Sequence, residues 1–177
     1  MVHIQDIVYD ISYANQAIKE AGFGTLLPDE ELLCEIYRLP SHNNSTIYAR
    51  IHDGKQGVRI EYARPEINKL GITIRMYCFK KAISANTRNS EQGRIICGMQ
   101  YISSPSANSI RRIISMIPKQ CLSDTSTVCI DDVTYFLRTG ADQLAFNLSW
   151  LNAHERYKIF YEIVNMIDSI IKSLGLR

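Results

Sequence analysis

Thr46-Ile47-Tyr48-Ala49-Arg50-Ile51-His52-Asp53-Gly54-Lys55-Gln56-Gly57-Val58-Arg59-Ile60-Glu61-Tyr62-Ala63 is the stretch whose reading decides the fold. Ile47, Ala49 and Ile51 alternate with Tyr48, Arg50 and His52, and Val58, Ile60 and Tyr62 alternate with Arg59 and Glu61. A period of two sends successive side chains to opposite faces of a strand. Between the runs, Asp53-Gly54-Lys55-Gln56-Gly57 supplies residues that tolerate turn conformations. The spacing therefore predicts an antiparallel hairpin of strands Thr46–His52 and Val58–Ala63.

Towards the N-terminus, Glu31–Leu39 reads as another strand. Before it, Ile4, Ile7, Val8, Ile11, Ala14 and Ile18 keep helical spacing, and Gly22 is a natural stop, which predicts a helix over 3–21. Towards the C-terminus, Ile72, Ile74, Met76 and Cys78 form one face of a strand carried on to Lys81. The polar loop Ser84–Gly93 then leads into a strand Arg94–Ile102, so a second hairpin with a long tip is expected. Ser104-Pro105 opens a helix over 105–117, since proline is tolerated in a first turn. Its apolar stripe is Ile110, Ile113, Ile114 and Ile117, and Pro118 ends it.

Strand alternation returns over 127–149, in Val128 and Ile130, in Val133, Tyr135 and Leu137, and in Leu144, Phe146 and Leu148. Asn152 with Glu155 resembles a capping box. It starts a last helix over 152–174, in which Phe160, Ile163, Val164, Ile167, Ile170, Ile171 and Leu174 share a face. The expectation is a single α+β domain over residues 1–177, with a mostly antiparallel sheet of about seven or eight strands and three helices.

The chain has 177 residues, enough for one core and short for two. Its apolar runs are too short for a membrane-spanning helix. Met1-Val2-His3-Ile4-Gln5-Asp6 lacks the basic and apolar parts of a signal peptide. Cytoplasm is the expected compartment, or periplasm if a leader has been removed. The five cysteines, Cys34, Cys78, Cys97, Cys121 and Cys129, are odd in number and include no CxxC. They read as small buried hydrophobes in a reducing compartment. Cys121 and Cys129 flank a Ser/Thr/Asp loop and would be placed to bridge in an exported protein.

Chemical motifs are scarce. His3, His42, His52 and His154 show no HxxxH or HxH spacing, so no metal is expected. Ala21-Gly22-Phe23-Gly24 follows a helix where a phosphate cradle follows a strand, so no nucleotide cofactor is expected. There is no GxSxG elbow. Asp29-Glu30-Glu31 reads as a solvated run and Asp131-Asp132 as a tight turn. Cys34 with His42 or His52 would make a thiolate–imidazole pair, which defines one alternative, a small cysteine-dependent hydrolase.

Charge is the strongest functional signal. The chain carries 20 Lys+Arg against 18 Asp+Glu, a formal +2. Residues 69–119 hold nine of the bases (Lys69, Arg75, Lys80, Lys81, Arg88, Arg94, Arg111, Arg112 and Lys119) and one acid, Glu91. Such a field favours an anionic partner on one side of the molecule. If Ile72–Lys81 is a strand, Arg75, Tyr77, Phe79 and Lys81 share a face, and bases interleaved with aromatics suit single-stranded nucleic acid. With Arg88 in the loop and Arg94 at the start of the next strand, the expected binding surface is Arg75, Tyr77, Lys81, Arg88 and Arg94. Reversing the charge of Arg88 and Arg94 is expected to leave melting nearly unchanged.

Two short motifs carry a resemblance. Glu35-Ile36-Tyr37-Arg38-Leu39, Asp131-Asp132-Val133-Thr134-Tyr135-Phe136-Leu137 and the closing amphipathic helix together resemble a class of small bacterial α+β proteins. Some of these are similar to immunity proteins encoded beside secreted toxins. The resemblance implies a non-enzymatic module that neutralises a cognate toxin through a basic face. It carries over no functional residue. Nucleic-acid binding through residues 69–119 is the other alternative.

Overall fold

The computed structural model describes residues 4–39, 46–69, 72–75, 78–85, 91–116, 133–139, 142–147 and 158–175. The chain runs α1 (Ile4–Glu20), β1 (Glu31–Leu39), β2 (Ile47–Gly54), β3 (Gly57–Lys69), β4 (Ile72–Arg75) and α2 (Phe79–Ala85). It continues through β5 (Glu91–Ile102), α3 (Ser104–Met116), β6 (Thr134–Thr139), β7 (Asp142–Asn147) and α4 (Lys158–Ser173). The fold is α+β, and every strand pair among the described residues is antiparallel.

The hairpin at the centre forms as its alternation requires. Its strands run on until Gly54 faces Gly57, which tightens the expected turn to Lys55-Gln56. Gly57 has φ 108°, a conformation that a side chain would strain. β1 joins β2 on one side and receives β6 on the other, with Glu35 opposite Arg138. β3 is the longest strand. Along one edge it pairs throughout with β5, from Val58 opposite Ile102 to Lys69 opposite Glu91. Along the other it pairs first with β2, up to Ala63, and then with β4, from Glu66. Pro65 falls in the gap between those partners, which is how a strand this long accommodates proline.

Both faces of the sheet are covered. On one, Cys34, Ile36, Ile47, Ala49, Ile51, Val58 and Ile60 pack with Ala107, Ile110 and Ile113 of α3 and Met166, Ile167, Ile170 and Ile171 of α4. On the other, Tyr37, Tyr48, Ala63 and Phe136 meet Ile7, Ile11, Ala14 and Ile18 of α1, together with Phe79 of α2. The sheet is thus the middle of three layers, each helix burying its apolar stripe against it. Replacing a core side chain such as Ile18 by alanine would cost about 2–5 kcal/mol.

Two expectations need correction. Four helices occur among the described residues where three were expected, the addition being α2. The segment read as a single strand Ile72–Lys81 ends at Arg75, and Phe79-Lys80-Lys81 opens that helix instead. Accordingly β4 and β5 do not form the expected hairpin with each other, since each pairs with β3. The strands expected over 127–132, the loop residues 86–90 and the helix start at Asn152 lie outside the described residues. No helix among the described residues is long and apolar enough to cross a membrane.

Candidate functional site

The far end of β3 gathers part of the basic region. Arg75 of β4 and Arg94 of β5 stand opposite Glu66 from either side of β3. Glu66 is buried, and one of its oxygens accepts from Arg94 Nε at 3.2 Å and Nη2 at 2.9 Å. Its other oxygen lies 3.2 Å from Arg64 Nη2. β3 thus lies between Arg75 and Arg94, which the sequence reading had joined through a shared hairpin. Arg94 is 64 % exposed yet tied to a buried carboxylate. Arg94→Glu would set two carboxylates side by side, so the expectation of unchanged melting does not stand for this residue.

Lys81 lies on α2 and is exposed. Tyr77 and Arg88 lie outside the described residues. The expected face of Arg75, Tyr77, Phe79 and Lys81 does not exist as one strand face. Phe79 is fully buried, with its ring 6.4 Å from that of Tyr37. The nucleic-acid alternative thereby loses Phe79 as a stacking platform.

What turns this segment into a helix is Asp10, a residue the sequence did not single out. Asp10 of α1 is buried, and its carboxylate accepts the backbone N–H of Phe79 at 3.1 Å and of Lys80 at 2.9 Å. A carboxylate at these first N–H groups satisfies donors that a helix leaves open and suits the positive end of its dipole. Asp10 also accepts the Tyr37 hydroxyl at 2.8 Å and lies 3.0 Å from Cys78 Sγ. Burial first, and then the Asp10 charge, raises the Tyr37 phenol well above its usual range.

The α1–α2–β5 side presents a mixed surface. Tyr9 and Ile83 are among the exposed large hydrophobics, and Lys80 and Lys81 lie between them in sequence on α2. Lys80 Nζ sits 5.3 Å from the Tyr9 ring centre, and Tyr13 meets that ring edge-on at 5.2 Å. Beside them a groove of about 600 Å³ runs between α1, α2 and β5, with Gln16, Glu20, Ile83 and Ile95 on its walls. Gly93 lets α2 approach β5 this closely, because a Cβ there would be driven into the Ala82 carbonyl.

A second cluster of charge is buried beneath the chain that links α1 to β1. Glu61 is inaccessible and receives the Gly24 N–H at 2.8 Å, His52 Nε2 at 3.1 Å and Arg59 Nη1 at 2.5 Å. Arg59 also reaches Glu30 through Nε at 2.8 Å and Nη2 at 2.5 Å. Burial opposes the Glu61 charge, but the His52 and Gly24 hydrogen bonds and the charges of His52 and Arg59 prevail, bringing its pKa down to about 2. Nearby, Glu35 accepts from Arg138 and from the Tyr48 hydroxyl, and these bonds hold its carboxyl below the usual range despite burial. Asp29-Glu30-Glu31, read as a solvated run, thus contributes a structural ion pair through Glu30.

The thiol alternative fares poorly in this geometry. Cys34 is fully buried in the core facing α3 and α4, whereas His52 points to the opposite face towards Glu61. Burial pushes the Cys34 thiol far up, away from the thiolate that nucleophilic attack needs. His42, Cys121 and Cys129 lie outside the described residues. Among the described residues no three His, Cys, Asp or Glu side chains converge on a metal position.

Comparison with known proteins finds no matching family, no matching curated protein and no matching solved structure.

Proposed function

We propose that this chain is a non-enzymatic protein-binding module of immunity type, which neutralises a cognate toxin by covering it with the side built from α1, α2 and β5, where Lys80 and Lys81 are exposed. The observation that carries the reading is the surface at Tyr9, Lys80, Lys81 and Ile83, where exposed apolar groups flank exposed cations. Two buried carboxylates at this end of the molecule, Asp10 and Glu66, are engaged by internal donors. Protein interfaces favour this combination of aromatic side chains and cations, and complementary charge speeds encounter with an acidic partner. The resemblance in Glu35–Leu39 and Asp131–Leu137 supports the same reading.

Co-expression with a toxin encoded beside this chain tests it. The wild-type protein should restore growth and bind the toxin in a purified pair. Lys80→Glu with Lys81→Glu should slow association by about tenfold or more. Melting should fall modestly, since Lys80 gives up its place over the Tyr9 ring, and circular dichroism should show the fold retained. Failure of the purified protein to bind any product encoded beside it would remove the proposal.

A further inference from the structure

β5 is a long strand with a single partner among the described residues. It pairs there with β3 alone, from Glu91 to Ile102, with no break in register. α2 lies against its beginning at Gly93, and α3 starts just past its end at Ser104. Between them Met99, Gln100 and Tyr101 are all exposed, Met99 by 42 % and Tyr101 by 41 %. Successive side chains of a strand point to opposite faces, so three exposed neighbours in a row mean that both faces are uncovered here.

Strand edges that must stay alone carry charge, proline or a bulge. This stretch carries none of these. Arg94 is the last charged residue before Arg111, and 95–102 holds no proline. The direction of its main-chain groups follows from the β2–β3 hairpin. A two-residue turn makes its flanking pair, Gly54 and Gly57, a hydrogen-bonded one. Alternation along β3 then aims the N–H and C=O groups of Val58, Ile60 and Tyr62 at β5, where they meet Ile102, Gln100 and Gly98. Those of Cys97, Met99 and Tyr101 point away from β3.

A second copy of the chain answers this edge. Antiparallel pairing about a two-fold axis at Met99 sets Met99 against Met99, Cys97 against Tyr101, Gly98 against Gln100 and Ile96 against Ile102. The exposed Met99 and Tyr101 thereby gain apolar neighbours, no charge meets its like, and the outward main-chain groups find one another. The paired stretch 96–102 fits between Gly93 beside α2 and Ser104 at the start of α3. We infer that this chain forms a dimer through β5, the strands of two copies pairing antiparallel about Met99 so that one sheet runs through both. The dimer needs no toxin and goes beyond the reading above, whose Lys80 and Lys81 lie on α2, towards the other end of the strand.

Sedimentation velocity of the full chain, without any partner, should show a dimer that dissociates on dilution, since so narrow an edge buries less than a permanent assembly does. Hydrogen exchange read by NMR over the same dilution should find the Cys97, Met99 and Tyr101 amides protected in the dimer and released in the monomer. Those of Gly98 and Gln100, which face β3, should stay protected in both. Met99→Lys with Tyr101→Lys charges the edge and should raise the dissociation constant of the dimer by about tenfold or more, with circular dichroism unchanged. A chain that stays monomeric at high concentration would overturn the inference. So would a dimer whose Cys97, Met99 and Tyr101 amides exchange as fast as in the monomer, or undiminished dimerisation of the folded double variant. Protection of those amides only on adding a toxin, with the free chain monomeric, would give the edge to the toxin and remove the dimer. The wild-type exchange decides the matter even where the double variant fails to fold.

Discussion

Asp10 and Phe79 are 69 positions apart in the chain, and the carboxylate of the first caps the helix that the second begins. The same carboxylate holds the Tyr37 hydroxyl, so one side chain fixes α1, α2 and β1 to each other. Asp10→Ala leaves two helix N–H groups and a buried phenol without their acceptor. It should lower stability by about 2–4 kcal/mol, and Asp10→Asn should recover part of that loss. Hydrogen exchange should show the Phe79 and Lys80 amides losing protection before those of β2. A loss below about 0.5 kcal/mol would mean that α2 is held by packing alone.

Acid should unfold this protein through Glu61. In the unfolded chain its carboxyl titrates near 4.5, and in the fold near 2, so the unfolded state binds more protons between those values. The stabilisation is complete above about pH 5 and drains away as pH falls towards 2. Glu30, held down first by its hydrogen bond from Arg59, adds to the same limb. Glu61→Gln should lower stability at neutral pH by about 3–5 kcal/mol, because it breaks a buried ion pair. Urea midpoints measured from pH 7 to pH 3 should also show a shallower acid limb for the variant. Parallel limbs would place the acid sensitivity elsewhere.

The thiols should be ranked by burial. Burial raises Cys97 to about 11, and burial with the Asp10 hydrogen bond raises Cys78 to about 11. Cys34 is inaccessible and raised further by its burial. Short pulses of iodoacetamide at neutral pH, read by mass spectrometry, should leave Cys34 unlabelled until urea opens the core. Rapid labelling of Cys34 in the native protein would revive a thiol chemistry.

Two glycines of β5 should behave differently. At Gly93 an added Cβ meets the backbone of Ala82, which cannot yield without moving α2. At Gly98 it meets the phenol of Tyr62, the outer part of a side chain that can swing away. Gly93→Ala should therefore destabilise by about 1–3 kcal/mol or more, and Gly98→Ala by clearly less. Thermal melts of the two variants decide it, and an equal loss would show that Tyr62 is as firmly held as the α2 backbone.

Local pattern carried the elements whose causes are local. Ile7, Ile11, Ala14 and Ile18 marked the buried stripe of α1, and the alternation around Gly54 and Gly57 marked the β2–β3 hairpin. α2 escaped because its seven residues are too few for a helical period to show. Phe79-Lys80-Lys81 moreover continues an apparent strand alternation from Ile72. Its cap comes from Asp10, far away in the chain, and no neighbouring residue announces it. The extension of β3 beyond Ala63 was hidden by Pro65, which argues against a strand unless the change of partner from β2 to β4 is known. Composition marked the basic end of the sheet, but Glu66 between Arg75 and Arg94 became visible only through pairing.

Glu35 finds Arg138 across 103 residues of chain, where β1 meets β6. During synthesis, the ribosome has released β1 to β5 well before β6 appears. Through that interval β1 has an open edge, and Glu35 lacks the cation that later neutralises it. A carboxylate on an open strand discourages pairing with another nascent chain, as charged residues on edges generally do. The same side chain therefore charges the edge while it is open, with Arg50 of β2 as its first cationic neighbour, and pairs with Arg138 once the final third of the protein joins.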